Sequence, residues 1–344
     1  MSSYSETTAA IVQQAKVREN ALPLLNESCR SRFFFHPKPT KRVCLFLHGF
    51  TAGPYQFVPM AEIFFKAGYN VMVPLLPGHG QAGNWSRQNP PPLPTDPKVY
   101  QQFALHWLEQ ARALGETVIV GGLSGGGTLA AWLALERPQA INRTILFAAY
   151  LSSSSRVLDL FVKKIDTYFE WAVNNNNPSK GSGYNGFPVS ALRVFLHLGQ
   201  DILKRSEKQP AAPLFIVASD SDIATGSFDH KTLFENALSR QPITWYNTFS
   251  RELAVPHTMM TVQEGNRWAS LLPVMTKAFV ESNLTWAEVQ EIGYRMTQGK
   301  TFPSVVAELG LVAKASPDMP AMMTMVDKRA IVQTRNPSSF DINA

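Results

Sequence analysis

Residues 118–135 read VIVGGLSGGGTLAAWLAL, a β-branched apolar run followed by one serine among five glycines and then a second apolar run of helical composition. Gly122, Leu123, Ser124, Gly125 and Gly126 form G-x-S-x-G between an expected strand and an expected helix, and that context makes the pentapeptide informative. A strand that reverses directly into a helix strains the residue at its apex, and only glycine fits two positions to either side. Ser124 is therefore expected above the carboxyl edge of a sheet, its hydroxyl exposed and the free N–H groups of a helix start behind it. A phosphate loop would end in G-K-[ST], and a dinucleotide fold would carry an acidic residue at a set distance; this stretch has neither.

Outward from the elbow, short apolar runs alternate with helical periods. RVCLFLHG (42–49), NVMVPLL (70–76), TVIVGGL (117–123), RTILFAAY (143–150), PLFIVAS (213–219) and ITWYNTF (243–249) are the strand candidates. That alternation predicts a mostly parallel sheet covered on both faces. Phe103, Ala104, Trp107, Leu108, Ala111 and Leu114 recur at three and four, so a helix over 97–114 buries one face. GTLAAWLALE (127–136) is apolar nearly all round, as for a helix in the middle of the structure. Residues 77–97 hold too many prolines for either element and predict a long loop.

Two segments interrupt the pattern. Residues 152–212 are far more chain than a crossover needs, and they carry two amphipathic runs. One holds Leu158, Phe161, Val162, Ile165 and Phe169, the other Leu192, Phe195, Leu196 and Leu203; NNNNPSKGSGYNG (174–186) joins them as an expected loop. Beyond residue 282, LTWAEVQEIGYRM and FPSVVAELGLVA predict two short helices before a polar end, TRNPSSFDINA. The organisation expected is an N-terminal extension (1–40), a core (41–151 and 213–282), a helical insertion (152–212) and a C-terminal helical extension with a tail (283–344).

Composition limits the function classes. The 344 residues are 45% hydrophobic, enough for a large core, and the net charge of +6 is scattered, with KPTKR and LKRSEK as its densest clusters. A solvated basic surface follows, and no nucleic-acid partner is expected. The second C-terminal run could be read as a recognition helix, but it lacks the Lys, Arg, Asn and Gln that reach base edges. No apolar run approaches membrane-spanning length, and the polar start reads as that of a cytoplasmic protein. Cys29 and Cys44 are the only cysteines, and Cys44 falls inside a strand, as a buried thiol would. The seven histidines show no metal-site spacing, and the sequence carries no signal of oligomeric state.

A serine hydroxyl needs a base within reach and a third group to orient that base. Of the histidines after Ser124, His197 belongs to the insertion and His230 to a helix start, whereas His257 lies in ELAVPHTMM between the last strand and a helix. His257 is the expected base. LFIVASDSDIATGS offers two acids, Asp220 and Asp222. Asp222 lies further past the strand, where the loop can turn back, and is preferred; Asp220 is the alternative and Glu252 the next place to look. Backbone N–H groups of Gly125 and Phe50 would hold an oxyanion. His48 is expected to brace the Phe50 loop and His79 to pack the mouth.

FLHGFTAG, VPLLPGHG, GGLSGGG, ASDSDIA and PHTMM, in that order, resemble the α/β-hydrolase superfamily and, within it, the carboxylesterase and monoacylglycerol-lipase-like group; GYNGFPVSALRVFLHL is similar to that group's cap. The resemblance covers roughly residues 40–282 and implies an α/β-hydrolase fold with a helical cap. It implies Ser124 as nucleophile, His257 as base, Asp222 as acid, and Phe50 and Gly125 as oxyanion donors. The implied activity is hydrolysis of a small ester of short to medium acyl chain, with no metal or organic cofactor. The alternatives are a serine peptidase of the same architecture and a non-catalytic binding protein. Phe161, Phe169, Phe187, Leu192, Phe195 and Leu196 are the expected substrate contacts from the cap. The chain departs from the group at Ser219, where glycine is usual, and at Gly127, a third glycine after the nucleophile.

Overall fold

Nine strands are present among residues 3–170 and 183–335, the part of the chain described by the computed structural model. They are β1 (Arg32–Phe34), β2 (Arg42–Leu47), β3 (Asn70–Val73), β4 (Thr117–Leu123), β5 (Arg143–Phe147), β6 (Tyr168–Glu170), β7 (Gly186–Pro188), β8 (Leu214–Ser219) and β9 (Trp245–Phe249). Seven of them make one sheet in the order β1-β3-β2-β4-β5-β8-β9. All neighbours in it are parallel except β1, which runs antiparallel along the edge of β3. This edge strand comes from the segment read as an extension. Its short RFF run is only half-buried and gave no periodic signal.

The helices are α1 (Tyr4–Asn20), α2 (Val58–Lys66), α3 (Pro97–Leu114), α4 (Gly125–Glu136), α5 (Arg156–Lys164), α6 (Val189–Ser206), α7 (Ser227–Leu238), α8 (Leu271–Val280), α9 (Trp286–Thr297), α10 (Phe302–Glu308), α11 (Met319–Met325) and α12 (Lys328–Arg335). None among the described residues is long and apolar enough to cross a membrane. Alternation along each strand sends its side chains to two cores. Val43, Leu45 and Leu47 join Trp107 and Leu108 of α3 and Leu129 and Leu133 of α4; Cys44 and Phe46 join Phe64 of α2 and Met275 and Phe279 of α8. With both faces buried, a one-residue slip of register would exchange the two sets, so the pairing is fixed.

That register sets the site. Leu47 lies opposite Gly122, Leu123 opposite Phe147, and Phe147 opposite Val217, so the carboxyl ends of β2, β4, β5 and β8 line up. The loops leaving those ends carry Phe50, Ser124 and Asp222. Residues 74–96 form no helix or strand, as their prolines dictate. Asp96 accepts the Lys98 N–H at 2.9 Å to cap α3.

The insertion between β5 and β8 holds α5, α6 and an antiparallel β6–β7 pair. One expectation is corrected here. Phe169 does not continue the α5 stripe; it sits in β6 opposite Phe187. The helix stops because Arg193 of α6 donates to the carbonyls of Val162 (2.7 Å) and Ile165 (3.1 Å) and pairs with Asp166 at 2.7 Å. These bonds satisfy the carbonyls that a helix end leaves free. Residues 174–182 of the Asn-rich joint, and residues 336–344 of the polar end, lie outside the described residues.

The C-terminal region is also richer than the two helices expected. After α9 and α10 come α11, which packs on α8, and α12, which packs on α9. Their Met319, Met322, Met323 and Ile331 enter the core shared with α2 and α8.

Candidate active site

Ser124 occupies the strained apex expected of a strand-to-helix elbow, with φ 53° and ψ −117°. Such a conformation costs on the order of 1–3 kcal/mol and persists only where the surroundings impose it. Here the flanking glycines are a steric requirement. A Cβ on Gly122 would lie 2.1 Å from the Gly126 carbonyl oxygen, and one on Gly126 would lie 2.1 Å from that of Leu47. The backbone is then locked: Ser124 N–H donates to Phe147 O at 3.0 Å, and its carbonyl accepts from Thr128 N at 2.9 Å and Tyr150 N at 3.1 Å.

Two side chains from separate loops complete a chain of hydrogen bonds. His257 Nε2 lies 2.9 Å from Ser124 Oγ, and His257 Nδ1 lies 2.8 Å from Asp222 Oδ2. An ionised carboxylate only accepts, so Nδ1 carries the proton and Nε2 presents its lone pair to the serine hydroxyl. The Asp222 side chain is only 3% exposed. Burial pushes its carboxyl up, but the His257 bond and charge, together with bonds from Thr225 and the Ala224 N–H, outweigh it and hold the group at about 2. Those bonds are Ala224 N at 2.7 Å on Oδ1 and Thr225 Oγ1 at 2.6 Å on Oδ2.

The alternative acids face elsewhere. Asp220 is exposed, and its own N–H donates to Phe249 O at 2.9 Å. Glu252 is exposed on the turn Arg251–Leu253. Ser219, which replaces the usual glycine, donates its hydroxyl to Val255 O at 2.7 Å, tying the end of β8 to the approach to His257.

The Phe50 loop is oriented by His48. Leu76 N–H donates to His48 Nε2 at 3.0 Å, so the ring proton is on Nδ1, which donates to Gly49 O at 2.9 Å. Burial, with His79 adding to it, holds His48 well below its ordinary value and keeps it neutral. In a trans peptide the N–H points opposite the carbonyl. Anchoring Gly49 O therefore aims the Phe50 N–H the other way. Neither that N–H nor the Gly125 N–H at the start of α4 has a hydrogen-bond partner among the described residues.

The expected cap contacts divide. Phe195 and Phe187 are buried and meet Phe50, with ring centroids 5.3 and 5.1 Å away. Phe195 also packs on Tyr100, the rings tilted with centroids 4.8 Å apart, and lies so close to Gly125 that a Cβ there would be 3.1 Å from its ring. The space a side chain at 125 would take is filled by Phe195 of the insertion. Leu192 is half-buried beside the same core and Leu196 is buried in it. Phe161 and Phe169 are each 41% exposed, and Phe169 meets Phe187 with ring centroids 5.4 Å apart.

His79 and His230 are structural in their contacts. His79 is buried, bonded to Pro77 O at 2.9 Å and held near 4 by burial. His230 bonds Ala149 O at 2.7 Å, and His197 is exposed. Among the described residues no group of three or more His, Cys, Asp or Glu could hold a metal ion. Both cysteines are buried thiols. Sequence reasoning missed Thr225, Gln56 and Glu264. The last two pair through a hydrogen bond across 208 positions, which no local pattern announces.

Comparison with known proteins agrees with this fold. A curated relative, the thermostable monoacylglycerol lipase of Bacillus sp. (strain H-257), is 37% identical over 94 residues, which are 27% of this chain and 35% of that protein. The match thus spans about a third of the relative's length. Among solved structures, a chain from work on LipS and LipT, two metagenome-derived lipolytic enzymes, superposes with TM-score 0.59 at 19% identity, over 74% of this chain and 98% of that one. The Paleococcus ferrophilus monoacylglycerol lipase gives 0.57 at 16% identity, over 73% and 97%. At these identities the likeness is one of fold. A family model described as alpha/beta hydrolase fold matches residues 43–283, well over half of the chain, and the protein belongs to that family.

Proposed function

We propose that this protein is a serine hydrolase that cleaves carboxylic esters through an acyl-enzyme intermediate. The carrying observation is the pair of bonds, 2.9 Å from Ser124 to His257 and 2.8 Å from His257 to Asp222, beneath a strained elbow. Ser124 Oγ attacks the ester carbonyl while His257 Nε2 takes its proton. Asp222 keeps the imidazole in the required tautomer and stabilises its cationic form. The N–H groups of Phe50 and Gly125 receive the oxyanion, and their lack of competing partners among the described residues leaves them poised for it. His257 returns the proton to the leaving alcohol, then activates water to release the acid. These steps call for neither a metal nor an organic cofactor.

The aromatic wall of Phe50, Phe187 and Phe195 favours a neutral ester with a short to medium acyl chain. The names of the Bacillus relative and the lipolytic neighbours are in keeping with such a substrate. A peptidase would need a free acid for the substrate's amine. Of the five acids in residues 152–212, Asp159 accepts the Ser153 N–H at 2.8 Å, Asp166 and Asp201 pair with Arg193 and Arg205, and Glu170 and Glu207 are exposed.

The test is fluorophosphonate labelling with a panel of p-nitrophenyl butyrate, hexanoate and octanoate. Labelling at Ser124 is expected, with loss of about 10⁴ to 10⁶ in rate for Ser124→Ala and an unchanged melting temperature. Each buried methylene contributes about 0.8 kcal/mol, so efficiency should rise severalfold per two-carbon step until the pocket is full. Activity above a few per cent in Ser124→Ala would remove the nucleophile assignment. Faster turnover of amino-acid p-nitroanilides than of all three esters would favour the peptidase.

A further inference from the structure

Gln56 is an amide buried to 1% exposure in the turn Pro54–Phe57, on the same loop as Phe50. Its Oε1 accepts the Gly49 N–H at 2.8 Å, and its Nε2 donates to Glu264 Oε1 at 2.7 Å. This is the only amide orientation that satisfies both partners, because a backbone N–H cannot accept and a carboxylate cannot donate. Glu264 is in turn built into the loop that carries His257. Its Oε1 also accepts from Tyr55 OH at 3.0 Å, its Oε2 accepts from Thr261 Oγ1 at 3.1 Å, and its carbonyl accepts from Thr258 Oγ1 at 3.3 Å. Thr258 follows His257 directly. A run of hydrogen bonds carried through the Gln56 and Glu264 residues therefore joins Gly49, the residue before Phe50, to the residue after His257 without passing through Ser124.

We propose that Gln56 and Glu264 are positioning residues, a strut that sets the Phe50 N–H and the His257 ring at a fixed separation. The proposal rests on the ester-hydrolase reading. Its physical basis is that the two groups act on opposite sides of one reacting carbon, one holding oxygen charge while the other carries the proton. They are supplied by loops that are far apart in sequence. His48 orients the Phe50 peptide and Asp222 orients the imidazole, but each acts within its own side of the site. The Gln56–Glu264 bond spans the two. A displacement of 1 Å between such groups costs about a hundredfold in rate, while substrate affinity, set by the aromatic wall, is untouched.

The experiment exchanges the two polar groups. Gln56→Glu sets a second carboxylate against Glu264 and removes the donor between them. Its kcat for p-nitrophenyl butyrate is expected to fall about 30- to 100-fold with KM within about twofold of the parent. Combining it with Glu264→Gln moves the donor to the other end of the strut, and kcat should return to within about threefold. Glu264→Gln alone keeps size and most bonds, and should lose about three- to tenfold in kcat at constant KM. Melting temperature is followed for each. Parent kcat in a folded Gln56→Glu overturns the strut, and so does a double exchange that restores the melting temperature without restoring kcat. If Gln56→Glu does not fold, Glu264→Gln decides: unchanged kcat overturns the strut, and the stated fall supports it. A parent protein with neither labelling nor ester turnover overturns the hydrolase reading and the strut together, whereas an active parent with indifferent variants overturns the strut alone.

Discussion

The loops at the carboxyl edge of the sheet and the insertion after β5 meet across Phe195, but they are held in different ways. At the edge, backbone groups do the work: Ser124 is fixed by three main-chain bonds, and Asp222 takes two of its bonds from N–H groups three residues away or less. In the insertion, side chains do it. Helix α6 buries Val194, Phe195, Leu196, Leu198 and Ile202, whereas α5 leaves Val157, Leu160 and Phe161 at 78%, 57% and 41% exposure. Backbone sterics and local hydrogen bonds admit one geometry whatever packs above them. A helix held by Arg193 and a few apolar contacts depends on its neighbours. Substitutions at the edge should therefore act chiefly on rate, and those in the insertion should act through packing.

The largest effect expected separates two acids on one loop. Asp222→Asn should lose about 10⁴ in kcat, since an amide facing Nδ1 favours the wrong tautomer. Asp220→Asn, whose side chain faces solvent, should stay within about twofold. Steady-state kinetics on one ester checks both. Equal, small losses would show that the bond to His257 is not what orients the base.

What could be read from the sequence follows the same division. The elbow was legible because Gly122 and Gly126 answer a steric demand that any such turn makes. The parallel strands were legible because burial on both faces produces continuous apolar runs. Phe169 was misread because the spacing Leu158, Phe161, Val162, Ile165 continues to it in helical period, while the helix end is imposed from α6 by Arg193. No reading of residues 156–169 alone contains that information. Helix α11 was missed for a related reason: DMPAMMTMV shows no charged face, because the side of α11 opposite the buried Met319, Met322 and Met323 exposes Pro320, Ala321 and Thr324. The preference for Asp222 came from loop length; the bonds from Ala224, Thr225 and His257 are the physical content behind it.

The next effect lies in the insertion. Phe195 is fully buried and touches Phe50, Tyr100 and Gly125, so Phe195→Ala should destabilise the protein by about 3–5 kcal/mol, with a further loss of activity. Phe161→Ala, on the exposed face of α5, should lie within about 0.5 kcal/mol of the parent. Chemical denaturation of both variants measures the difference. Similar values would mean that the insertion packs as tightly at α5 as at α6, and the contrast drawn between the two walls would fail.

The smallest effect is a pH dependence that belongs to the edge loops alone. Asp222 has its carboxyl lowered from 3.8 to about 2 by bonds that exist only in the folded chain. A group whose folded value is depressed adds stability in full above its unfolded value and loses it as pH falls through the folded one. The contribution is therefore whole above about pH 4 and gone near pH 2, and a shift of this size amounts to about 2 kcal/mol. The side chain is 3% exposed, so solvent screening takes little from that figure. Asn at 222 cannot titrate. Denaturant midpoints of the parent and Asp222→Asn, measured at intervals from pH 5 to pH 2, should converge by about this amount as the acid limb is descended. Parallel curves would mean that the carboxylate gains nothing from Ala224, Thr225 and His257 on folding. The edge would then owe its geometry to packing from above, as the insertion does.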